Sequence, residues 1–261
     1  MPGVHSALHR SSLFRRAVLR SILRAHLISV PSESTRRDLL TQVPQVPPER
    51  VRVVRHGVDG CFHPAPSEYV QREVRRLGLP DAYILFVGNI EPRKNLPLLV
   101  DSYRRLAAGG AIAEHLVIAG KCRRGADTIL RKLNCRELLG RVHLPGFVSE
   151  EDLPWVYRGA RLFVYPSLFE GFGFPPLEAM ACGVPTISTQ SSSLEENLRG
   201  AAELVPPGDE AALTAAMQRL LCDEDLREQR KKMGVERAAD FQWEKTAREI
   251  LDCYRQLAAT R

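Results

Sequence analysis

From residue 81 onward, short runs rich in β-branched and aromatic residues alternate with longer stretches of helical periodicity. The apolar runs predict strands at 83–87, 115–119, 141–144, 162–165, 186–188 and 203–205. The intervening amphipathic stretches predict helices at 95–108, 125–139, 151–157, 177–182 and 209–221. Strands regularly separated by helices predict an α/β fold, a Rossmann-like parallel sheet with helices on both faces. Ligands of such sheets bind beyond the carboxyl ends of the strands, which directs attention to the segments that follow each strand. No internal repeat, low-complexity tract or long linker interrupts the chain, and residues 57–66, with two glycines, an aspartate and two prolines, form the best hinge candidate.

The segment after the predicted strand at 162–165 is the most informative. It runs Glu170-Gly171-Phe172-Gly173-Phe174-Pro175-Pro176-Leu177-Glu178. The two glycines allow a close backbone approach to a ligand, and the prolines suit the first turn of a helix, where a missing N–H costs little. The result is a turn whose amides and helix dipole converge on one spot, a geometry that favours an anion such as phosphate. Carboxylates on either side of a phosphate site make sense if they accept hydroxyl protons from a sugar. Two glutamates eight residues apart mean little alone; the strand–loop–helix context gives them weight. A second candidate follows the strand at 83–87. There Gly88 lets the chain pass near a ligand, and the adjacent cations Arg93 and Lys94 suit a diphosphate. As plain surface cations they would be badly placed, because positive charge is disfavoured at the start of the helix they precede. Gly146-Phe147-Val148 forms a glycine-flanked strand end able to offer N–H and C=O groups to a planar base, with Phe147 or Leu153 covering its face. The same stretch also reads as a strand-to-helix turn capped by Ser149.

Composition narrows the classes. Of the 261 residues 44% are hydrophobic and 26% charged, ordinary values for a soluble α/β protein. No apolar run reaches the eighteen or so residues of a membrane span. Arg10, Arg15, Arg16, Arg20 and Arg24 interrupt the first apolar residues, so no signal peptide is expected. The six cysteines contain no Cys-x-x-Cys pair, which fits reduced thiols better than disulfides or zinc. No metal site is expected: Asp223-Glu-Asp225 matches a metal-binding Asp-x-Asp pattern but opens a charged helix far from the phosphate motifs. His115 and His143 read as core or edge residues, and His56 as structural. The net charge of +6 is concentrated near the start, where arginines alternate with Leu13, Phe14, Val18, Leu19, Ile22 and Leu23. Such a segment is either an ordinary helix or a peripheral contact with an anionic membrane face. Nucleic acid is not an expected partner, since the basic residues lack interleaved stacking aromatics, and no Gly-x-Gly-x-x-Gly follows a strand, which argues against an NAD enzyme.

Taken together, Val142–Val148, the stretch from Tyr165 to Pro185 and Phe86-Val-Gly-Asn-Ile-Glu-Pro-Arg-Lys-Asn-Leu96 resemble retaining glycosyltransferases of family 4, particularly mannosyltransferase-like members, over almost all of residues 27–257. The resemblance implies a GT-B architecture, with this chain supplying the donor-binding carboxyl-terminal domain at 61–261, including a final crossover helix on which Trp243 and Tyr254 pack. Residues 1–60 then read as the remnant of an amino-terminal acceptor domain and the hinge. They include a late strand at 27–30, a capped helix at 32–40 and a strand from Val51. That expectation makes the chain a truncated enzyme, a misassigned start, or a half needing a separate partner.

The resemblance also implies roles. Lys94 and Arg93 bind and stabilise the leaving diphosphate; the arginine that the family commonly has directly after this glycine is Asn89 here, and Arg93 supplies the charge instead. Gly146, Phe147 and Val148 hold the nucleobase, Glu178 the ribose and Glu170 the transferred sugar. Gly171, Phe172, Gly173 and Phe174 offer amides to the sugar or phosphate, the helix start near Leu177 stabilises negative charge, and Ser191–Glu195 closes the pocket. The implied reaction is metal-independent and cofactor-free transfer, with retention, from a nucleotide-diphosphate sugar (GDP-mannose is favoured) to a glycan or lipid-linked acceptor. Its expected location is the cytoplasm, at the inner face of the membrane. A nucleotide-sugar-binding half without catalysis is the alternative.

Overall fold

The computed structural model describes residues 12–123, 127–133 and 138–259. Arg10, Cys135 and residues 125, 126 and 134–137 of the expected helix at 125–139 lie outside the described residues. The chain divides into two compact units, one formed by residues up to Gly57 together with Phe241 onward, the other by Val58–Asp240.

In the first unit the described elements are α1 (Ser12–Arg24), β1 (Ile28–Val30), α2 (Glu33–Gln42), β2 (Val51–Val53) and a final helix, α11 (Trp243–Ala259). β1 and β2 pair in parallel, Ile28 opposite Val51. α2 begins where the sequence says it should: the Ser32 hydroxyl accepts the Thr35 N–H at 3.0 Å, a side-chain cap for an otherwise orphaned amide. Val30, Val43, Val46 and Val51 are buried here, and Ile22 of α1 packs on them, while Leu13, Val18, Leu19 and Leu23 are exposed. The strand leading from β2 reaches Gly57, where a Cβ would stand 2.2 Å from the Trp243 backbone nitrogen. The His56 ring tilts against the Trp243 indole at 5.8 Å. Trp243 thus packs on the His56–Gly57 segment within its own unit, whereas Tyr254 stays exposed. The last helix belongs with the first unit.

The second unit carries β3 (Tyr83–Val87), β4 (His115–Ala119), β5 (Val142–Gly146), β6 (Ala160–Tyr165), β7 (Thr186–Thr189) and β8 (Glu203–Val205). These form one six-stranded sheet in the order β5-β4-β3-β6-β7-β8, with every pairing parallel. Central parallel strands are covered on both faces, so they read as continuous apolar runs; Tyr83, Ile84, Leu85 and Phe86 are all fully buried. The flanking helices are α3 (Ser67–Arg76), α4 (Leu96–Ala108), α5 (Asp127–Leu133), α6 (Leu153–Arg158), α7 (Phe174–Ala181), α8 (Ser192–Leu198), α9 (Glu210–Cys222) and α10 (Glu224–Ala238). α9 packs on α4 and α10 on α7. Asp209 caps α9 by accepting the Ala212 N–H at 2.8 Å, and Asp223 caps α10 by accepting the Leu226 N–H at 2.9 Å. The Asp-x-Asp motif at 223–225 is therefore a helix start.

Expected and observed elements differ mainly at their ends. α7 starts three residues before the expected helix at 177–182. Gly173 takes φ 91° as its N-cap, and the two prolines fit its first turn. α6 starts after a turn in which the Asp152 N–H donates to the Ser149 hydroxyl at 3.2 Å. α3 has no counterpart among the expected helices; its arginine- and glutamate-rich sequence buries only Val74.

The order of strands reverses between β3 and β6. One neighbour series runs outward from β3 through β4 to β5, the other from β6 through β7 to β8. The connections therefore leave β3 and β6 in opposite directions, opening a crevice at their carboxyl ends. Gly88 and Gly120 fix the backbone beside it: Gly88 donates its N–H to the Ala119 carbonyl at 2.9 Å. A Cβ on Gly120, whose φ is 147°, would stand 2.0 Å from the Gly88 carbonyl oxygen. We expect Gly120→Ala to lower stability by about 2 kcal/mol or more. Gly208→Ala, at φ 81° with nothing within 4 Å of its Cβ, should cost only about 1 kcal/mol. Denaturant melts of the two variants check this; equal losses would show that the close approach is not what requires the glycine.

Candidate functional site

Two loops meet in that crevice. After β3, the chain makes a single 3-10 turn, Pro92–Lys94, and Asn95 takes a left-handed conformation (φ 50°) before α4 begins. After β6 it runs through Ser167 to Glu170 before α7. The loops are stitched together by backbone: the Leu168 N–H donates to the Arg93 carbonyl at 2.9 Å, and the Ser167 hydroxyl reaches the same oxygen at 3.3 Å.

The stitching turns Lys94 inward. It is only 7% exposed, and its ammonium lies 2.7 Å from Glu170 Oε1 and donates to the Tyr165 hydroxyl. The same Oε1 accepts from Ser167 at 2.6 Å and from Tyr165 at 3.1 Å. Glu170 Oε2 pairs with the Arg93 guanidinium at 2.6 Å. Arg93 also donates to the Phe169 carbonyl and pairs with Glu91, each at 2.7 Å. The start of α8, after β7, fixes the Glu170 backbone: the Glu170 N–H donates to the Ser192 hydroxyl at 2.8 Å, and the Glu170 carbonyl accepts from Ser193 at 2.9 Å. The Phe86 ring stacks on the Tyr165 ring at 5.6 Å, flooring the cluster with apolar surface.

Burial pushes the Glu170 carboxyl up, but the Lys94 and Arg93 charges and the hydrogen bonds from Lys94 and Ser167 outweigh it. Its pKa therefore lies below the ordinary glutamate value, since neighbouring cations favour the charged form. Burial pulls the Lys94 ammonium below the usual lysine range, against the attraction of Glu170. The cluster is an ion-paired group with both carboxylate oxygens satisfied. It offers two cations to an incoming anion and one carboxylate that such an anion would set free.

The second glutamate has a different environment. Glu178 lies in α7, half-buried, and accepts a hydrogen bond from the Tyr157 hydroxyl at 2.8 Å. Burial raises its pKa, assisted by the Asp59 charge and opposed by the Tyr157 hydrogen bond. Both carboxylates act electrostatically on the Tyr165 phenol, which burial has already pushed well above its ordinary pKa.

The remaining expected residues divide by what they can present. Gly173 caps α7, and its own Cβ would collide with Leu194 at 2.6 Å. Gly171 precedes it in the same loop. The Phe172 and Phe174 rings pack edge to face at 4.9 Å, and Asn197 donates to the Phe172 carbonyl at 2.8 Å. Leu177 is fully buried, so only its backbone is in a position to meet a ligand. Asn89 is exposed beside Gly88. Farther along the same edge, Gly146 ends β5 with φ 74°, and its carbonyl accepts the Gly120 N–H at 2.7 Å. Phe147 is 65% exposed with the Lys121 ammonium 4.3 Å from its ring centroid, and Val148 follows, half-buried. Gly88, Lys94, Arg93 and Glu170 form one group; Gly146, Phe147 and Val148 form another, beyond β4.

Sequence reasoning missed Tyr165, Ser167, Tyr157 and Lys121. Ser167 carried a signal, a small hydroxyl three residues before the glutamate, and so did Tyr165, a phenol at the end of an apolar strand. Tyr157 and Lys121 carried none. Among the described residues no group of three or more His, Cys, Asp and Glu side chains is placed to hold a metal ion.

Residues 69–237 match the family described as glycosyl transferases group 1, and the chain belongs to it. It is 31% identical over 252 residues to O-antigen chain mannosyltransferase B of Escherichia coli, covering 95% of this chain and 65% of that protein. Among solved structures it resembles sucrose-phosphate synthase of Thermosynechococcus elongatus, with a TM-score of 0.83 at 27% identity, over 99% of this chain and 65% of that one. HepE of Anabaena, solved with UDP and glucose, shares the fold with a TM-score of 0.82 at 18% identity, over 96% of this chain and 69% of its own. The Val58–Asp240 sheet is that of the carboxyl-terminal Rossmann-like domain of GT-B glycosyltransferases.

The Glu178 environment has a measurable consequence. Its folded-state pKa is raised, so as pH climbs from about 4 the unfolded chain loses this proton first. The Glu178 contribution to stability is therefore fully present at low pH and is lost as pH rises through the raised folded value. Glu178→Gln removes that loss, so its stability relative to the parent should rise from about pH 4 and level off once pH passes the raised folded value, read from denaturant melts at several pH values. A difference constant with pH would contradict the assignment.

Proposed function

We propose that this chain binds a nucleotide-diphosphate sugar in the crevice beyond β3 and β6. In this reading it acts as the donor half of a retaining family-4 glycosyltransferase, passing the sugar to a glycan or lipid-linked acceptor without a metal or other cofactor. The observation that carries the reading is the buried Lys94–Glu170–Arg93 cluster, which lies inside the segment that defines the family. A family match by itself would be compatible with a lysine in solvent; burial and pairing give it a place to work.

The chemistry follows from exchange of partners. A diphosphate entering the crevice competes with Glu170 for Lys94 and Arg93, and the displaced carboxylate becomes an acceptor for a sugar hydroxyl. When the anomeric C–O bond breaks, its electron pair goes to the diphosphate, where the two cations and the start of α7 stabilise the charge. The acceptor oxygen bonds the anomeric carbon on the same face, and its proton passes to a diphosphate oxygen. Glu170 positions the sugar and is not a nucleophile. Glu178 holds the ribose, and the Gly146–Val148 backbone the base, with Phe147 exposed beside it. Gly88, Asn89 and the Gly171–Phe174 loop line the path between.

Mannose carried on GDP is the favoured donor, because a relative is a mannosyltransferase and residues Glu91–Asn95 keep the string seen in such enzymes. Action at the cytoplasmic face of a membrane belongs to the same reading. Its support is α1, in which arginines alternate with the exposed apolar residues Leu13, Val18, Leu19 and Leu23. No helix among the described residues is long and apolar enough to cross a membrane.

Calorimetric titration with GDP, UDP and ADP, followed by hydrolysis and transfer assays with the matching sugar nucleotides, tests the reading. We expect one nucleotide to bind in preference, and Lys94→Ala to lower turnover about 100–1,000-fold while the folded spectrum is retained. Unchanged turnover in Lys94→Ala would refute the assignment of the cluster. Preferential binding without transfer would identify a donor-binding half that needs a separate acceptor domain.

A further inference from the structure

A second concavity lies at the opposite end of the Val58–Asp240 sheet. It is bordered by Asp81, two residues before β3, by Ala160, which opens β6, and by Gly183, shortly before β7, so it sits at the amino ends of the strands. The crevice of Lys94 and Glu170 is at their carboxyl ends. The cavity runs between α3 and α10 and measures about 920 Å³, within the range that holds a small organic ligand.

Its charge is unbalanced. Arg75, Arg158, Lys231 and Lys232 line it against only Asp81 and Glu236. Two of the four cations have a carboxylate partner. Arg75 lies 3.7 Å from Asp81, with both side chains largely exposed, an arrangement worth little in water. Lys231 pairs with Glu228 on its own helix. The other two have no carboxylate within ion-pair distance among the described residues. Arg158 is the better organised: its guanidinium donates to the Cys61 and His63 carbonyls, each at 2.7 Å, and stands 4.5 Å over the Trp155 ring. A guanidinium held by neutral carbonyls keeps its full charge and a fixed plane, which is how arginine recognises oxyanions. Cys182 also borders the cavity; burial pushes its thiol up to about 12, so it adds no negative charge. The floor, with Val74, Val235 and Ala160, is apolar and suits the carbon part of a ligand.

We propose that this cavity is a second binding site, for a phosphate monoester, separate from the crevice at the other end of the sheet. The phosphate engages Arg158 and Lys232, and the ester's organic part lies over Val74 and Val235. Either a soluble sugar phosphate or the headgroup of a phosphatidic-acid-type lipid offers that chemistry.

The test uses the whole chain at fixed ionic strength. Glucose 6-phosphate is titrated calorimetrically, and vesicles of phosphatidylcholine with and without phosphatidic acid are tested by co-sedimentation. Lys232→Glu changes an exposed side chain and should melt with the parent. Arg158→Gln is the second variant, and Lys94→Ala controls for the other site. We expect binding to at least one probe that survives Lys94→Ala and weakens about tenfold or more in Lys232→Glu and Arg158→Gln. Binding of the soluble ester identifies a metabolite site, and binding of the acidic vesicles alone identifies a lipid headgroup site. Binding that Lys94→Ala abolishes while its melt still shows a folded chain, binding indifferent to both cavity variants, or no binding of either probe would overturn the proposal.

Discussion

The buried ion pair between Lys94 and Glu170 is the constraint around which the larger unit is arranged. It joins the loop after β3 to the loop after β6, the two strands between which the sheet reverses its order. Each side chain is too deep to be solvated, so each depends on the other: removing one partner of such a pair typically costs about 3–5 kcal/mol. Arg93, Tyr165 and Ser167 complete the coordination of the carboxylate, and Ser192 and Ser193 hold its backbone. The parallel sheet supplies rigid strand ends, and the cluster uses that rigidity to keep two cations and a carboxylate within bonding distance before any ligand arrives.

Under the proposed function, the same arrangement would let an ion-paired resting cluster receive an anionic substrate. Two cations left unpaired in a crevice would be costly to bury. Glu170 offsets that cost, and a diphosphate can take its place because it brings more negative charge and more acceptor oxygens than one carboxylate. The displaced glutamate stays next to the new anion, where a polyol would need an acceptor. Membership of the glycosyl transferases group 1 family agrees with a site of this character, and the resemblance to GT-B enzymes accounts for its position at the carboxyl ends of the strands.

Much of this was legible in the sequence. The strand positions follow from apolar runs whose burial on both faces leaves no alternation to interpret, and the six expected strands match those of the sheet to within two residues at their ends. Gly173 and the paired prolines beside Glu170 announced a loop and a helix start, because glycine admits backbone conformations closed to other residues and proline fixes its own. The two loops bearing charge were recognisable for the same reason. What the sequence did not disclose is which charged residues face inward. Lys94 has the composition of a surface residue and is 7% exposed; Phe147 has the composition of a core residue and is 65% exposed. Tyr165 and Ser167 looked like a strand end and a turn. Glu170 lies within five residues of both and left a local signal, whereas Lys94 beside Tyr165 and the Arg93 carbonyl beside Ser167 come from far along the chain, and no local pattern records them.

Local chemistry in the chain therefore determined its elements, its glycine-dependent turns and its helix caps at Ser32, Asp209 and Asp223. These depend on backbone sterics and hydrogen bonds spanning a few residues. The order of the strands, the meeting of Arg93 and Lys94 with Glu170, the pairing of Tyr157 with Glu178 and the basic cavity at the amino ends of the strands were decided only by the tertiary structure. Each joins groups that are remote along the chain, and their energies depend on burial and distance, quantities that exist only once the sheet has assembled.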